Sequence, residues 1–394
     1  MNTKNNTGKN LRIAMICDPI GNYKAGAIVS ALRFGEMLQK RNHHVVFIAA
    51  RSKENPTDDY NNGMKTYRFR SIPLPKSGGW HLAFPTVKEV RRILEEERID
   101  IVHIILPMSG ALVAVRAARS LGVKIVAHSH SQPENLFMGV PRILGRAILD
   151  SIWNKYLAWI YSKAGSIIYP SQMAHELLDH LTAEGKPSYV ISNGVDTDVY
   201  KPAETGNFYE RFGIPKDTIN LVYVGRLFPE KSIDTLIKAI PHIIAVHPKT
   251  HIIIVGGGYL RGKLEDLAGN LNVRNHISFL GLVSDEDKIL AYNAGDIFVS
   301  PSFAELEGMT VLEAMACGKP IIVPDTTMNA ARFFVSDNGF LFETTNDLDL
   351  AEKTLRLVSN EDLRKKMGEN SLTKSREYNI LKSVERLEKL YQSL

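Results

Sequence analysis

Two glutamates stand eight residues apart where the chain passes from a predicted strand into a predicted helix. Glu305 lies in the polar loop after the strand, the helix is predicted to begin near Gly308, and Glu313 lies within it. A glycine lets a ligand approach the backbone closely, and the free N–H groups of a helix start suit an anion such as a diphosphate. The two carboxylates could then accept hydrogen bonds from sugar hydroxyls. The alternative is a capped surface helix with solvated glutamates, because acidic residues are common near helix starts.

Two cations, Arg226 and Lys231, follow another predicted strand of the same half, in a loop that begins at Gly225. Cleavage of a sugar–phosphate bond places negative charge on the leaving diphosphate, and preorganised cations stabilise that charge as it develops. Arginine offers a bidentate fork for this purpose and lysine a point charge. Without further context, this pair is equally compatible with ordinary surface charge.

Two pairs of residues have the spacing of metal ligands. His128 and His130 follow a predicted strand, but no third ligand with suitable spacing follows them, so the sequence disfavours zinc. A histidine at a strand end can also be purely structural. Asp196 and Asp198 form a D-x-D pair, the pattern of metal-dependent sugar transferases.

Short β-branched runs alternate with helical patterns almost throughout, and these elements must position the polar residues. Continuous apolar strands separated by helices predict parallel sheets covered on both faces. The pattern restarts near residue 220, so we expect two α/β domains. Ligands of such sheets bind at the carboxyl ends of the strands, at the topological switch point. The predicted strands cover residues 11–17, 44–50, 101–105, 124–127, 166–169, 189–191, 220–224, 251–255, 277–279, 297–300 and 320–323. The predicted division of the chain is 1–200, 201–375 and a terminal helical segment, 376–394, which could cross back to the first domain.

Charge and cysteine content narrow the class of protein. A net charge of +5 favours polyanionic partners, which include nucleic acid, an anionic membrane surface and phosphorylated substrates. Cys17 and Cys317 lie far apart and form no metal or disulfide framework, which fits a reducing cytoplasm. Residues 1–10 are polar and do not read as a signal peptide. No stretch approaches the ~20 apolar residues of a spanning helix. We therefore expect a cytoplasmic protein, either soluble or peripheral on a membrane.

The spacing of Glu305 and Glu313, followed by Ala-Met-Ala-x-Gly-x-Pro, resembles the signature of the family-four retaining glycosyltransferases. Other segments resemble further motifs of that family in the expected order. They are the N-G-V-D segment at 191–202, the V-G-R-L-x-x-E-K loop at 223–231, the V-G-x-G turn at 254–258, and residues 279–281 and 296–302. The resemblance runs from about residue 11 to the C-terminus. It implies the GT-B fold, an α/β architecture of two Rossmann-like domains that face each other across a cleft.

The resemblance also assigns catalytic roles. It implies that Arg226 and Lys231 bind the donor diphosphate and that Glu305 contacts hydroxyls of the donor sugar. By alignment with the family's histidine motif, His130 also contacts that sugar. The donor-binding residues implied in this way are Gly225, Gly256, Gly308, Met309, Thr310 and Glu313, with Glu313 on the ribose.

The resemblance weighs against metal ions. The D-x-D pair falls inside the N-G-V-D segment, and relatives with this fold neutralise the diphosphate with side chains and helix dipoles. We therefore expect no metal and no cofactor, with the nucleotide diphosphate sugar, UDP- or GDP-linked, as co-substrate.

Several segments bear on the acceptor. The loop with Gly21, Lys24 and Gly26 resembles the family's acceptor-side glycine loop, although Ala25 replaces one glycine of the usual pair. Residues 72–85 and 100–110 resemble the corresponding segments of the glycerolipid glycosyltransferase branch of this family. Residues 136–162 are rich in aromatic and basic side chains, and such a helix can lie in a membrane interface. The alternative is an ordinary core helix with a solvated basic side.

The sequence thus predicts a retaining hexosyltransferase that acts on a membrane lipid of the diacylglycerol or phosphatidylinositol type. It would be cytoplasmic and peripheral on the inner face of the cell membrane. Its expected partners are the sugar donor, a lipid or glycan acceptor and an anionic membrane surface, but not nucleic acid. The alternatives are a transferase that builds a polysaccharide or lipopolysaccharide on a saccharide or polyprenyl-linked acceptor, a sugar phosphorylase, and a non-catalytic nucleotide-sugar-binding protein.

Overall fold

The chain folds into two compact units in a computed structural model that describes residues 10–21, 26–74, 80–130, 146–182 and 185–394. Unit 1 consists of Met1–Asn193 together with Ile380–Leu394, and unit 2 is Gly194–Asn379. Unit 2 is therefore inserted in the sequence of unit 1.

A largely parallel sheet forms the centre of unit 1. In chain order, its strands are β1 (Arg12–Ile16), β2 (His44–Ala50), β3 (Asp59–Asn61), β4 (Met64–Phe69), β5 (Ser71–Pro73), β6 (His81–Ala83), β7 (Ile101–Ile104), β8 (Lys124–His128), β9 (Ser166–Tyr169) and β10 (Ser188–Val190). The sheet order is β10-β9-β8-β7-β1-β2-β4-β3, parallel except for β3 with β4, while β5 and β6 form a separate antiparallel pair. The chain leaves β1 for β2 on one side and reaches β7 on the other, so the switch point lies between β1 and β7.

Helices cover the sheet of unit 1 because each has an apolar stripe. The first helix buries Ile28, Ala31, Phe34 and Leu38 against alternate residues of β1 and β2. The helices in order are α1 (Gly26–Lys40), α2 (Val87–Glu96), α3 (Ser109–Leu121), α4 (Arg146–Lys163) and α5 (Gln172–Leu178).

Unit 2 contains an all-parallel sheet. Its strands are β11 (Ile219–Val224), β12 (Thr250–Val255), β13 (Ile277–Gly281), β14 (Ile297–Val299), β15 (Ile321–Asp325) and β16 (Gly339–Glu343). Its helices are α6 (Phe208–Phe212), α7 (Ile233–Val246), α8 (Arg261–Asn270), α9 (Asp285–Ala294), α10 (Met309–Ala316), α11 (Asp347–Val358) and α12 (Glu361–Ser375). The strand order β13-β12-β11-β14-β15-β16 places the switch point between β11 and β14.

Both faces of this second sheet are buried, as continuous apolar strands require. Successive side chains of a strand point to opposite faces. Leu221 and Tyr223 of β11 accordingly join one buried cluster, and Val222 and Val224 join the other.

The last helix, α13 (Ile380–Ser393), belongs to unit 1 and packs into its core through Ile380, Val384, Leu387, Leu390 and Tyr391. Glu388 of this helix accepts hydrogen bonds from Arg41 Nε at 2.7 Å and from His43 Nε2 at 2.9 Å. His43 Nδ1 accepts from the Leu11 N–H at 3.0 Å, so the proton of a neutral His43 is on Nε2.

Candidate active site

The candidate site of unit 2 lies at the switch point of its sheet, where the loops after β11 and β14 meet. The Phe303 N–H donates to the carbonyl oxygen of Glu230 at 3.1 Å, and the Ser302 hydroxyl donates to the same oxygen at 3.0 Å. The loop that carries the predicted cations is therefore bonded to the loop that leads to the predicted carboxylate. Switch points are where ligands of such sheets bind.

Glycines allow the loop after β11 to pack directly against the turn after β12. The Leu227 N–H donates to the Gly257 carbonyl oxygen at 2.9 Å. Gly256 has a φ of +134°, and a Cβ there would lie 1.8 Å from the carbonyl oxygen of Gly225. No side chain fits so close to backbone. Gly256 is thus needed to shape the Arg226 loop, and its contact with a donor stays a prediction.

Lys231 and Glu305 form an ion pair, with 2.5 Å between Nζ and Oε1. Lys231 ends a short 3-10 turn, Pro229–Lys231, and Glu305 is held by its backbone. The Glu305 N–H donates to Met328 O at 3.0 Å, and the Glu305 carbonyl oxygen accepts from the Ala330 N–H at 2.9 Å. The Lys231 and Glu305 side chains are only 13% and 20% exposed, so their charges interact with little screening.

Arg226 pairs with a buried carboxylate. Its Nη2 lies 2.8 Å from Glu230 Oε1, and the side-chain exposures are 24% for Arg226 and 3% for Glu230. The guanidinium carbon lies 4.6 Å from the centre of the Phe228 ring, and the Tyr223 hydroxyl donates to the Arg226 carbonyl oxygen at 2.9 Å. Both the backbone and the guanidinium of Arg226 are therefore fixed.

The N-terminus of α10 supplies backbone donors. Gly308 precedes the helix with a φ of +98°, and a Cβ there would lie 2.8 Å from the Cβ of Ala331. The first N–H groups of a helix have no intrahelical partner, and this end carries the positive part of the helix dipole. Met309 and Thr310 form this first turn and are half-buried.

Glu313 is buried within α10 and contacts two side chains of α9. The Tyr292 hydroxyl donates to Glu313 Oε2 at 2.8 Å, and Lys288 Nζ lies 3.5 Å from the same oxygen. Burial, and then the charge of Glu313, raise the pKa of Tyr292 well above its ordinary value. Tyr292 is therefore a permanent donor to this carboxylate. The ammonium of Lys288 also lies 5.1 Å from the centre of the Tyr200 ring.

Three histidines form a stacked column in unit 1. Ring centres are 5.6 Å apart between His103 and His128 and 4.0 Å apart between His128 and His130. Burial lowers the pKa of His130 to about 3 and that of His128 well below its ordinary value. Burial and the neighbouring His130 lower the pKa of His103 to about 3, and the Tyr391 hydroxyl is 2.6 Å from His103 Nδ1. All three rings are therefore neutral at physiological pH.

Neither pair with metal spacing belongs to a cluster of three or more metal-ligating side chains among the described residues. Asp196 Oδ1 accepts from the Asp198 N–H at 3.0 Å and thereby caps a turn. Within the described part of the chain, no group of three or more histidine, cysteine or acidic side chains could hold a metal ion.

The comparisons with known proteins agree with this geometry. Residues 25–199 match the model described as Glycosyltransferase Family 4, and residues 205–374 match the model described as Glycosyl transferases group 1. The chain belongs to these glycosyltransferases. An alpha-monoglucosyldiacylglycerol synthase of Streptococcus pneumoniae is 24% identical over 318 residues, which cover 79% of this chain and 70% of the relative.

Solved structures of similar fold show that this glycosyltransferase has the GT-B fold, as its sequence predicts. A sucrose-phosphate synthase of Thermosynechococcus elongatus has a TM-score of 0.82 at 20% identity and covers 97% of this chain and 98% of its own. Anabaena Alr3699/HepE, solved in complex with UDP-glucose, has a TM-score of 0.78 at 18% identity and covers 98% of this chain and 100% of its own.

The candidate site contains side chains that the sequence alone does not single out. Glu230 stands in the V-G-R-L-x-x-E-K loop, one position before Lys231, but no spacing rule pairs it with Arg226 in a loop. Tyr292 and Lys288 come from a different helix than Glu313, so nothing local in the sequence marks them. His130 lies in unit 1, two residues after the end of β8, and its contact with a donor sugar stays a prediction.

The loop that the sequence predicts to lie on the acceptor side is described in part. Gly21 has a φ of +82°, and a Cβ there would lie 2.6 Å from Nη2 of Arg68. The Arg68 guanidinium is buried and donates to Ile20 O at 3.0 Å. Gly26 begins α1 and is exposed, whereas Lys24 lies outside the described residues.

A buried carboxylate follows β1 at the switch point of unit 1. Asp18 Oδ2 accepts from the N–H groups of Ala83 and Gly110, at 3.1 and 3.2 Å, and from the Ser109 hydroxyl at 3.1 Å. Burial raises the pKa of Asp18 to about 6, although these hydrogen bonds lower it.

Helix α4 contains all of the described part of the basic–aromatic segment, and residues 136–145 of that segment lie outside the described residues. Tyr161 is fully buried, and the Tyr156 hydroxyl donates inward to Met108 O at 2.6 Å. The exposed side chains of α4, among those described, are those of Ile148 and Ile152, which are 64% and 60% exposed, together with Lys155 and the serines Ser151 and Ser162. No helix of the described chain is long and apolar enough to cross a membrane.

Proposed function

We propose that this glycosyltransferase moves a hexose, with retention of configuration, from a UDP- or GDP-linked sugar to a hydroxyl of a membrane lipid. The observation that carries the donor half of this proposal is the position of Lys231, Glu305 and Arg226 at the switch point of unit 2. Structural similarity to a protein that binds UDP-glucose supports the same donor class.

The donor diphosphate would bind Arg226, Lys231 and the backbone N–H groups of Met309 and Thr310. In the structure Lys231 pairs with Glu305. A diphosphate oxygen would take over that ammonium, and Glu305 would then accept hydrogen bonds from hydroxyls of the donor sugar. Two sugar hydroxyls can donate hydrogen bonds to the Glu305 carboxylate in place of the Lys231 ammonium.

Glu313 would hold the ribose. A buried carboxylate needs polar partners, and ribose offers two vicinal hydroxyl donors. The Tyr292 hydroxyl and the Lys288 ammonium hold the Glu313 carboxylate in place for this role.

The reaction would proceed by attack on the face that the diphosphate leaves. The bond from the anomeric carbon to the phosphate oxygen breaks, and the bond to the acceptor oxygen forms on the same side. The acceptor proton moves to the leaving phosphate, whose growing charge is stabilised by the fixed cations. This course needs no covalent carboxylate nucleophile, unlike that of retaining glycosidases.

His130 would hydrogen-bond a hydroxyl of the donor sugar as a neutral imidazole. Its low pKa removes any role as a cation at physiological pH. A neutral ring both accepts and donates a hydrogen bond, which suits a sugar hydroxyl.

The acceptor would be a lipid of the diacylglycerol or phosphatidylinositol type. Similarity to a glucosyldiacylglycerol synthase supports this class. The exposed Ile148, Ile152 and Lys155 of α4 offer aliphatic and basic contacts to an anionic membrane, where each basic residue contributes ~1 kcal/mol. The protein would then work on the inner face of the cell membrane as a peripheral enzyme.

A second candidate keeps the donor site and changes the acceptor to a saccharide or a polyprenyl-linked sugar. Its support is the fold shared with a sucrose-phosphate synthase. Transfer assays that combine each UDP- or GDP-sugar with diacylglycerol, phosphatidylinositol or a soluble oligosaccharide test both candidates. We expect turnover with lipid acceptors in mixed micelles. Efficient transfer to a soluble saccharide, with none to lipid, would establish the second candidate.

A further inference from the structure

Glu230 is a buried charge at the donor site to which the proposed reaction gives no task. Its side chain is only 3% exposed, and its carboxylate pairs with Arg226 at 2.8 Å. Removing a carboxylate from water costs several kcal/mol unless its partners compensate. The presence of a charge at this position therefore needs a reason.

The backbone of Glu230 does not supply that reason. Its carbonyl oxygen accepts from Ser302 and Phe303 and so joins the two loops. Any residue at this position would present the same carbonyl oxygen. Only the side chain distinguishes glutamate, and among the described residues its hydrogen-bond partner is Arg226.

The Glu230 carboxylate and the Phe228 ring together fix the Arg226 guanidinium. One terminal nitrogen is bonded to Glu230, and the guanidinium carbon lies 4.6 Å from the ring centre. A guanidinium carries its donors in a rigid plane. Fixing the plane and one nitrogen therefore sets the direction of the remaining N–H groups.

We infer that Glu230 is a positioning residue that orients Arg226 for the donor diphosphate, an inference that rests on the proposed function. The negative charge beside Arg226 weakens attraction for a diphosphate before reaction. In return, the guanidinium is already aligned when charge develops on the leaving group. A contact that favours the transition state over the bound ground state raises kcat.

This role predicts opposite changes in binding and turnover for Glu230→Gln. The amide has the same shape but no charge, so inorganic pyrophosphate should bind roughly threefold to tenfold more tightly. The neutral amide holds the guanidinium less firmly, and kcat with the active donor should fall by roughly tenfold to 100-fold. Calorimetric titration with pyrophosphate and steady-state kinetics measure the two effects.

The matched control is Glu265→Gln. Arg261 and Glu265 form a pair of the same residue types at the same spacing, 3.0 Å apart on α8, but their side chains are 45% and 32% exposed. We expect both pyrophosphate affinity and kcat of this variant to equal those of the wild type.

A purely structural Glu230 would lower thermal stability and the active fraction without tighter pyrophosphate binding. Any result for Glu230→Gln other than tighter binding with slower turnover therefore overturns the inference. If that variant does not fold, Glu230→Asp keeps the charge but withdraws it by one methylene. It should bind pyrophosphate within twofold of the wild type and still lose kcat, and an unchanged kcat would overturn the inference.

Arg226→Ala separates this inference from the proposed function. We expect this variant to lose most pyrophosphate affinity. If it binds pyrophosphate like the wild type, the donor assignment itself is wrong. If it loses binding while Glu230→Gln behaves like the wild type, only the positioning role is wrong.

Discussion

Replacement of Lys231 by methionine removes the cation from the donor site while it keeps much of the apolar stem. The loss of one preorganised electrostatic stabiliser lowers kcat by ~10²–10³, or about 2.7–4 kcal/mol. We expect kcat/KM with the active sugar donor to fall by that factor, because the leaving diphosphate would lack the ammonium that stabilises its charge.

The same change has a separate effect on stability. It leaves Glu305, only 20% exposed, without the ammonium that lies 2.5 Å away. Breaking a buried pair costs about 3–5 kcal/mol, whereas exposed pairs contribute about 0–1 kcal/mol. The loss of this half-buried pair should therefore cost a free energy between those two cases, roughly 1–2 kcal/mol. For a unit of this size, that free energy lowers Tm by roughly 2–8 °C.

The double variant Lys231→Met with Glu305→Gln distinguishes the two effects. Both members are then neutral, so the free energy of unfolding should recover most of the loss. Turnover should stay low, because neither the cation nor the carboxylate is present. Calorimetry and donor-dependent kinetics on the single and double variants give the complete cycle. Turnover near the wild-type value in the single Lys231 variant would refute the assignment of Lys231 to the diphosphate.

Four further predictions concern metals, pH, the last helix and the membrane. Turnover should survive excess EDTA, since the described chain holds no cluster of metal-ligating side chains, and loss of activity restored by manganese or magnesium would contradict this. The pKa of Asp18 is raised from 3.8 to about 6, so its contribution to stability is present below pH 3.8 and is lost as pH rises through about 6. The free energy of unfolding of Asp18→Asn should therefore rise relative to that of the wild type by up to about 3 kcal/mol between pH 4 and 7. Denaturant titrations measure this difference, and a difference that does not vary with pH would refute the prediction. Glu388→Gln weakens the hydrogen bonds that hold α13 and should lower the free energy of unfolding of unit 1 by about 1–3 kcal/mol. Thermal unfolding measures this loss, and an unchanged Tm would contradict the prediction. The protein should co-sediment with anionic vesicles at low salt and be released by high salt, with weaker binding after Ile148→Ser and Ile152→Ser; no binding at low salt would remove the membrane from the proposal.

The central strands could be predicted from the sequence because they are continuous apolar runs. The predicted bounds 44–50 and 166–169 agree with those of β2 and β9. The sequence analysis does not predict the strands β3 (Asp59–Asn61), β4 (Met64–Phe69), β5 (Ser71–Pro73), β6 (His81–Ala83) and β16 (Gly339–Glu343). Of these, β3 and β5 are three residues long and carry polar or exposed side chains, so they lack a buried pattern. Edge strands of this kind form because a neighbouring strand offers hydrogen bonds, which single-sequence patterns do not show.

The residues of the candidate donor site could be predicted only where a short continuous sequence motif contains them. Lys231 and Glu305 each stand in a recognisable segment, but their 2.5 Å pairing results from the meeting of two loops in the fold. The contacts of Tyr292 and Lys288 with Glu313 depend likewise on how α9 packs against α10. His103 reaches the histidine column because β7 and β8 are neighbours in the sheet.

The anomeric configuration of the first product tests the central claim most directly. The donor that gives turnover is supplied with an α-linked sugar, and NMR records the one-bond coupling between the anomeric carbon and its hydrogen as product forms. Retention predicts an α-linked product from the first time point. A β-linked first product would contradict the front-face mechanism, and the absence of transfer from every UDP- and GDP-sugar would contradict the proposed donor class.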